Sequence, residues 1–173
     1  MELTTERLVL RDYRLDDFDA IHAFASDPRI ATYVEWGPNT EQDSRDFLSA
    51  CLAAQTVALR TGYTLAITVD GGDPIGSVGL TIDSANPRLA EIGFTVHPDH
   101  WGRGYATESG RALLAFGLDS LGLARVNATC RPGNIASARA LASMGMQQTA
   151  LLKDHKLIRG HWQDSLLFEA TSE

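Results

Sequence analysis

The segment His97–Glu108, HPDHWGRGYATE, has the residue types that a loop needs to hold a phosphate group. Gly102 and Gly104 stand just before a predicted helix, whose start presents unpaired N–H groups and a partial positive charge. Glycines leave those N–H groups accessible, and Arg103 adds a positive charge beside them. The segment is neither a dinucleotide fingerprint, because Thr107 replaces the third small residue, nor a Walker loop. It is therefore either a site for another phosphate-bearing ligand or a glycine-rich turn before a helix.

A second candidate site lies at the start of a later predicted helix, in the stretch RPGNIASARALASMGM. Asn134 stands at the expected N-cap, where an Asn side chain accepts a hydrogen bond from the helix backbone. Ser137, one turn further on, would present a hydroxyl group to a ligand bound at that helix start. The capping role alone accounts for Asn134, so a purely structural interpretation stays open.

The composition is that of a folded domain with a sizeable core. The chain has 173 residues, of which 44% are hydrophobic and 21% charged, with no biased tract. Its apolar runs fall short of the ~20 residues that a membrane helix needs, and its charged, strand-like start is unlike a signal peptide. We therefore predict one domain over residues 1–173, located in the cytoplasm, with no membrane partner.

Acidic residues outnumber basic ones, at 22 Asp and Glu against 15 Lys and Arg, for a formal net charge of -7. A nucleic-acid-binding protein needs a basic face, so we predict no nucleic-acid partner, and the acidic balance favours cationic substrates. Cys51 and Cys130 sit among apolar neighbours and are predicted to be core residues. The five histidines lack metal-ligand spacing with carboxylates or cysteines, so we predict no metal.

Hydrophobic periodicity predicts a mixed α/β sheet that positions both candidate sites. Strands are predicted over residues 7–13, 63–69, 78–82, 89–96, 126–130, 146–152 and 161–169. Helices are predicted over residues 16–27, 40–62, 104–121 and 134–144. The second helix is expected to place Ala58 and Leu59 on its buried side, and a charged turn is expected to join the last two strands.

Three of these segments, in order and spacing, resemble the acetyl-CoA-binding core of the GNAT superfamily of N-acetyltransferases. They are LAEIGFTV, HPDHWGRGYATE and NIASARALASMGM. Within that superfamily, TTERLVLRDYRLDD, WGRGYATE and IRGHWQDSLLFE resemble the RimJ/RimL-type, or ribosomal-protein-alanine N-acetyltransferase, branch. The resemblance covers nearly the whole chain. It implies an α/β (α+β) GNAT fold with a largely antiparallel sheet, splayed between its fourth and fifth strands and flanked by about four helices.

The resemblance implies that acetyl-CoA is the co-substrate and binds where the sheet splays. The backbone of Phe94, Thr95 and Val96 would hold the pantetheine and the thioester. Asn134 would bridge to the pantetheine or to the splayed strand. The pyrophosphate would rest on the amides of a continuous stretch made of Gly102, Arg103, Gly104, Tyr105, Ala106 and Thr107.

The implied reaction is direct transfer of the acetyl group to a primary amine, either a protein N-terminus or a small-molecule amine. The Val96 amide is the family-like donor to the oxyanion. Many family members place a Tyr acid where this chain has Leu141, whereas the Rim-type branch places a Ser where it has Ser137. Ser137 is therefore the predicted general acid, with a structural hydroxyl as the alternative. Glu91 is the predicted base, with a sheet carboxylate paired to an Arg as the alternative.

The resemblance places the acceptor pocket beside an irregular N-terminal segment and the hairpin of residues 154–162. Tyr33, Glu35 and Trp36 are the predicted acceptor-binding residues, because an aromatic pair with a carboxylate suits a cationic amine; simple packing is the alternative. Part of the Rim-type branch has a Glu base where this chain has Lys156. The resemblance also implies a homodimer. A non-catalytic acyl-CoA-binding or sensing module of the same fold is the alternative function.

Overall fold

The computed structural model describes residues 1–172, over which eight strands and four helices follow one another along the chain. The strands are β1 (Glu2–Thr4), β2 (Leu8–Asp12), β3 (Gly62–Val69), β4 (Pro74–Ile82), β5 (Leu89–Val96), β6 (Arg125–Cys130), β7 (Gln147–Ile158) and β8 (His161–Thr171). The helices are α1 (Phe18–Ala25), α2 (Glu41–Gln55), α3 (Tyr105–Ala115) and α4 (Ile135–Met144). No helix in residues 1–172 is long and apolar enough to cross a membrane.

All eight strands form one sheet in the order β1-β2-β3-β4-β5-β6-β8-β7. Every neighbouring pair is antiparallel except β5 and β6, which are parallel. That parallel pairing covers only Leu89 to Glu91 opposite Arg125 to Asn127, and beyond it the two strands part. The prediction of a mixed, largely antiparallel sheet that splays between its fourth and fifth strands is therefore confirmed. In the structure, which has an additional first strand, these two strands are β5 and β6.

The hydrogen bonds between β4 and β5 fix which backbone groups face the opening. At one end of the ladder Asp83 N–H donates to Leu89 O at 2.9 Å, and at the other His97 N–H donates to Ile75 O at 2.7 Å. Hydrogen-bonded pairs alternate along an antiparallel ladder, so the odd-numbered residues of β5 direct their N–H and C=O groups at β4. Phe94 and Val96 consequently direct theirs into the opening.

Gly76 lets β4 approach the end of β5 closely. A Cβ at this position would lie 2.2 Å from Thr95 O and 2.9 Å from Val96 Cα, so only glycine fits. The buried Tyr13 hydroxyl donates to Gly76 O at 3.1 Å, which ties this point of the sheet to the chain entering α1. The strand that borders the opening is thus held rigidly on its β4 side.

The core lies on both faces of the sheet because side chains alternate along each strand. Leu65 belongs to a large cluster with the buried faces of α3 and α4, whereas its neighbour Ala66 belongs to a smaller cluster with α1 and α2. Cys51 and Cys130 are both buried and free, as predicted. Burial raises the pKa of the Cys51 thiol to about 12, so this cysteine is an unreactive core residue.

Helix α2 ends earlier than its apolar pattern predicts. The Thr56 hydroxyl donates to Ala53 O at 2.9 Å, which satisfies a carbonyl of the last turn, and the β-branched Val57 follows. The prediction of a helix to Gly62 with Leu59 on its buried side is therefore wrong, since Leu59 is 85% exposed.

The closing hairpin is also longer than predicted. Strand β7 continues to Ile158 across two irregularities in register, so most of the predicted charged turn is strand. Lys153 Nζ forms an ion pair with Asp164 Oδ2 on the opposite strand at 2.6 Å, so charged residues of the predicted turn are paired within the hairpin. The turn itself is Arg159–Gly160, where both residues have positive φ, at 47° and 81°.

Candidate functional site

The opening between β5 and β6 borders two cavities that share a wall. We call the first, of about 740 Å³, the loop-side cavity, because Gly102, Gly104 and Thr107 line it. We call the second, of about 990 Å³, the sheet-side cavity, because Gly79, Glu91 and Gly93 of the sheet line it. Six residues line both cavities, namely Tyr33, Val34, Phe94, Thr95, Asn134 and Ser137. Molecules bound in the two cavities would meet at that shared wall.

The start of α3 has the accessible backbone that the sequence predicts. Gly102 and Gly104 have φ values of 74° and 80°, a left-handed conformation that strains residues with side chains. Gly104 is the N-cap of α3 and caps it with no side chain, so the first N–H groups of the helix keep their hydrogen-bonding capacity. The loop-side cavity is lined by these glycines and by Tyr105, Ala106 and Thr107. The arrangement can hold an anionic group.

The arginines that line the loop-side cavity are not the one predicted. Arg103 lines neither cavity, and its guanidinium donates to Asp99 O at 3.3 Å. Arg29 and Arg139, neither of which is predicted from the sequence, line the loop-side cavity. Arg29 pairs with Asp27 at 2.6 Å and with Asp99 at 3.0 Å, so the irregular N-terminal segment is tied to the loop before α3.

Glu108 and the chain near β1 anchor the loop from behind. Glu108 Oε1 accepts from Thr5 Oγ1 at 2.6 Å, and its Oε2 accepts from Arg7 Nε at 2.8 Å. Arg7 Nη1 also donates to Arg103 O at 3.0 Å. Burial opposes ionisation of Glu108, but the hydrogen bonds from Thr5 and Arg7 outweigh it, so the pKa of this carboxyl is lowered. Thr5 and Arg7 are about a hundred residues from Glu108 in the chain, so the sequence pattern does not predict these contacts.

The edge of β5 presents a defined set of groups to the opening. Trp101 Nε1 donates to Val96 O at 2.7 Å, so that carbonyl is already paired. The Val96 N–H and the N–H and C=O of Phe94 point into the opening, where β6 no longer pairs. Thr95 differs from the prediction, because its backbone faces Ser77 of β4 and only its side chain can reach a ligand.

Asn134 caps α4, as its position in the sequence predicts. Its Oδ1 accepts from Ser137 N at 3.1 Å, which leaves the amide nitrogen of the side chain as a donor. Ser137 is half-buried, and its hydroxyl has no hydrogen-bond partner within residues 1–172. Leu141 follows one turn later and is buried against the sheet-side cavity. Asn134 and Ser137 are thus the polar residues of α4 at the shared wall.

Carboxylates outnumber the one cationic side chain, Arg131, among the charged residues that line the sheet-side cavity. Glu91 is exposed there and forms no ion pair with residues 1–172, so the alternative of an Arg-paired sheet carboxylate is wrong. Glu35, Asp43 and Asp46 line the same cavity. The cavity therefore favours a cationic group over an anionic one along most of its wall.

Tyr33, Glu35 and Trp36 all line the sheet-side cavity, and the two aromatic side chains are 42% and 40% exposed. The hairpin packs behind this segment, where Lys156 Nζ lies 3.3 Å from Glu35 Oε1 and Arg159 Nη2 donates to Gly37 O at 3.0 Å. None of residues 154–162 lines either cavity, so the expectation that the hairpin forms a pocket wall is wrong.

The described residues contain no group of three or more His, Cys, Asp and Glu side chains placed to hold a metal ion. The shared wall offers backbone amides, a side-chain amide and hydroxyl groups, and Glu91 lines the sheet-side cavity.

Comparison with known proteins connects this geometry to one family. A family model described as an acetyltransferase (GNAT) domain matches residues 7–147. The Bacillus licheniformis protein named uncharacterized N-acetyltransferase p20 is 33% identical over 168 residues, covering 96% of this chain and 93% of the relative.

Solved structures share the whole architecture. An acetyltransferase of the GNAT family from Bacillus anthracis is 26% identical, with a TM-score of 0.88. The match covers 99% of this chain and 98% of the Bacillus anthracis chain. RimJ from Mycobacterium smegmatis, solved in complex with CoA-disulfide, is 25% identical, with a TM-score of 0.82. The match covers 95% of this chain and 81% of the RimJ chain.

Proposed function

The chain belongs to the GNAT acetyltransferase family and is an acetyltransferase, and on that premise we propose that it transfers the acetyl group of acetyl-CoA to a primary amine by direct attack in a ternary complex. The observation that carries the proposal is the wall shared by the two cavities. It gives a donor and an acceptor access to the same few polar groups from two directions. Direct transfer requires this kind of meeting point.

Acetyl-CoA would occupy the loop-side cavity. Its pyrophosphate suits the uncapped N–H groups at the start of α3, and its pantetheine can pair with the open edge of β5 at Phe94 and Val96. The amide nitrogen of Asn134, not used in capping, is a further donor. The CoA-disulfide bound to the similar RimJ structure supports the choice of a CoA compound as the ligand of this cavity.

The proposed chemistry needs one base, one oxyanion donor and one acid. The neutral amine attacks the thioester carbonyl carbon, and its nitrogen passes a proton to Glu91, directly or through water. The Val96 N–H, directed into the opening, stabilises the oxyanion of the tetrahedral intermediate. The carbon–sulfur bond then breaks, the amide forms, and the thiolate takes a proton from Ser137, which solvent restores.

The acceptor would enter through the sheet-side cavity. Its carboxylates attract an ammonium group, and the faces of Tyr33 and Trp36 can contact a cation. The acceptor is a primary amine of a protein N-terminus or of a small molecule. The single domain over residues 1–173, the cytoplasmic location and the homodimer stay predictions.

A calorimetric titration with acetyl-CoA, CoA and ATP, followed by an assay of thiol release with a panel of amines, tests the proposal. We expect both CoA compounds to bind with micromolar affinity, ATP not to bind, and thiol release to depend on an amine. Binding without thiol release would favour the alternative of an acyl-CoA-binding or sensing module. No binding of acetyl-CoA would contradict the proposed donor.

A further inference from the structure

Arg131 is a buried cation without a counterion in the wall of the sheet-side cavity. The residue is 6% exposed and lines this cavity. Its Nη1 is fully enclosed, and its guanidinium has no hydrogen-bond or ion-pair partner within residues 1–172. It stands at the end of β6, where the chain turns toward α4.

A similarly buried arginine elsewhere in the protein shows what is missing. Arg11 is 5% exposed, and its guanidinium holds Asp17 through two hydrogen bonds of 2.8 Å. Removing a charge from water is costly unless an opposite charge or hydrogen bonds compensate for it. Arg131 has no such compensation from the described chain, so an anion supplied by a ligand is the partner that its position calls for.

The position of Arg131 puts that anion close to the shared wall. Asn134 N–H donates to Arg131 O at 2.8 Å, which closes a four-residue turn whose end Cα atoms lie within about 7 Å of each other. The ring of Tyr33 packs on this turn, since a Cβ at Gly133 would be 3.5 Å from Tyr33 Cε1. Arg131 and Asn134 therefore begin and end one short turn, and both line the sheet-side cavity.

The charge of the cavity selects a carboxylate over a phosphate. Glu35, Asp43, Asp46 and Glu91 also line the cavity, and they would repel a doubly charged phosphate. A carboxylate carries one charge and matches the planar guanidinium with two parallel hydrogen bonds. The same acidic residues suit an ammonium group on the same molecule.

We propose that Arg131 binds a carboxylate of the acceptor, so that the acceptor is a free amino acid or a similar amino carboxylate rather than a protein N-terminus. This inference rests on the proposed function, because it assigns the sheet-side cavity to the acceptor. Apolar side chains of Ile21, Phe24 and Phe47 complete the cavity wall and favour an amino acid with an apolar or aromatic side chain.

Turnover with matched acceptors tests the inference. Thiol release from acetyl-CoA is measured with L-phenylalanine and L-phenylalaninamide, and each substrate is compared between variants because the carboxylate also raises the pKa of the neighbouring amine. We expect Arg131→Met to lower kcat/KM for the acid about 10- to 100-fold through KM while leaving the value for the amide within about twofold. Arg88→Met removes the same charge from an exposed site outside both cavities and serves as the control.

Equilibrium binding separates this inference from the proposed function. N-acetyl-L-phenylalanine and its amide are titrated into the protein with CoA present, so the result does not depend on turnover. We expect the acid to bind the wild type and to lose affinity in Arg131→Met, with partial affinity in Arg131→Lys. Failure of thiol release with retained binding of the acid would count against the transfer reaction alone.

Stability provides the remaining check. Because the buried charge of Arg131 is unpaired, Arg131→Met should melt at the same temperature as the wild type or higher. A large loss of stability in both Arg131→Met and Arg131→Lys would show that Arg131 has a structural partner and would overturn the inference. Equal binding of the acid and the amide to the wild type, or no binding of either, would also overturn it.

Discussion

The loop-side and sheet-side cavities share one wall but are built in different ways. Most of the anion-binding part of the loop-side cavity comes from one continuous stretch, Trp101 to Thr107, and uses backbone groups. The polar lining of the sheet-side cavity comes from side chains of α2, β5, the irregular N-terminal segment and the turn after β6. A site made from local backbone tolerates change outside a short motif, whereas a site made from distant side chains can change its ligand one residue at a time.

Removing the hydroxyl at the shared wall is expected to have the largest effect. Ser137→Ala should lower kcat about 100-fold, because the thiolate would leave without a positioned acid, and should leave the Kd of acetyl-CoA within about twofold. Stopped-flow thiol release and calorimetry measure the two quantities. Ser120→Ala, which removes the same hydroxyl from an exposed position outside both cavities, is the matched control. A normal kcat in Ser137→Ala would remove Ser137 from the mechanism.

A side chain on the loop tests the backbone-built cavity. Gly104→Val should weaken acetyl-CoA binding at least tenfold, since a branched residue disfavours the φ of 80° and its Cβ would lie 3.5 Å from Arg7 Nη2, so the loop that presents the N–H groups would shift. Gly122 has a similar φ of 67° and open space around its Cα but lines neither cavity, so Gly122→Val controls for backbone strain of about 1–2 kcal/mol. Equal affinities in the two variants would place the phosphates elsewhere.

Asn134 lets the capping role be separated from the ligand-binding role. Asn134→Asp keeps a capping oxygen but lacks the amide donor, whereas Asn134→Ala lacks both. We expect both variants to lose about fivefold in acetyl-CoA affinity, the value of one weak hydrogen bond. Only Asn134→Ala should lose about 1 kcal/mol of stability in urea unfolding. Retained affinity in Asn134→Asp would reduce Asn134 to a helix cap.

Loss of the Glu108 ion pair, which anchors the loop before α3, should have the smallest effect, a change in stability. The pKa of Glu108 is lowered in the folded protein, so its contribution to stability is complete above the unfolded pKa of ~4.3 and is lost as pH falls through the folded pKa. Glu108→Gln should therefore lower the melting temperature by a few degrees at neutral pH. The melting temperatures of the two proteins should converge as pH falls below the folded pKa of Glu108. A constant difference across this pH range would contradict the assigned ion pair.

The sequence predicts the loop-side cavity well because its signals are local. Gly102, Gly104 and Asn134 each occupy a position whose backbone conformation or capping role their residue type favours, and the structure has them there. The opening between the fourth and fifth strands is predicted only through the resemblance to the GNAT superfamily, because strand pairing depends on contacts between distant segments. Arg103 is the exception, because its exposed side chain donates to the backbone carbonyl of Asp99. The spacing of residues in the sequence does not determine such a contact.

The sheet-side cavity could be predicted only in part because its parts meet through tertiary packing. Tyr33, Glu35 and Trp36 come to the cavity as expected, although their segment has no hydrophobic period. The sequence does not indicate that Arg131 is a buried site residue, because an arginine before a Pro-Gly turn is ordinarily a surface residue. The burial of its guanidinium depends on where α4 and the N-terminal segment pack.

A crystal structure of the protein with acetyl-CoA bound would test the proposed donor site most directly. We expect the pyrophosphate at the N–H groups that start α3, the pantetheine along Phe94 and Val96 in the opening between β5 and β6, and the thioester beside Asn134 and Ser137. Acetyl-CoA bound outside this opening, or bound with its thioester away from the wall that the two cavities share, would contradict this expectation.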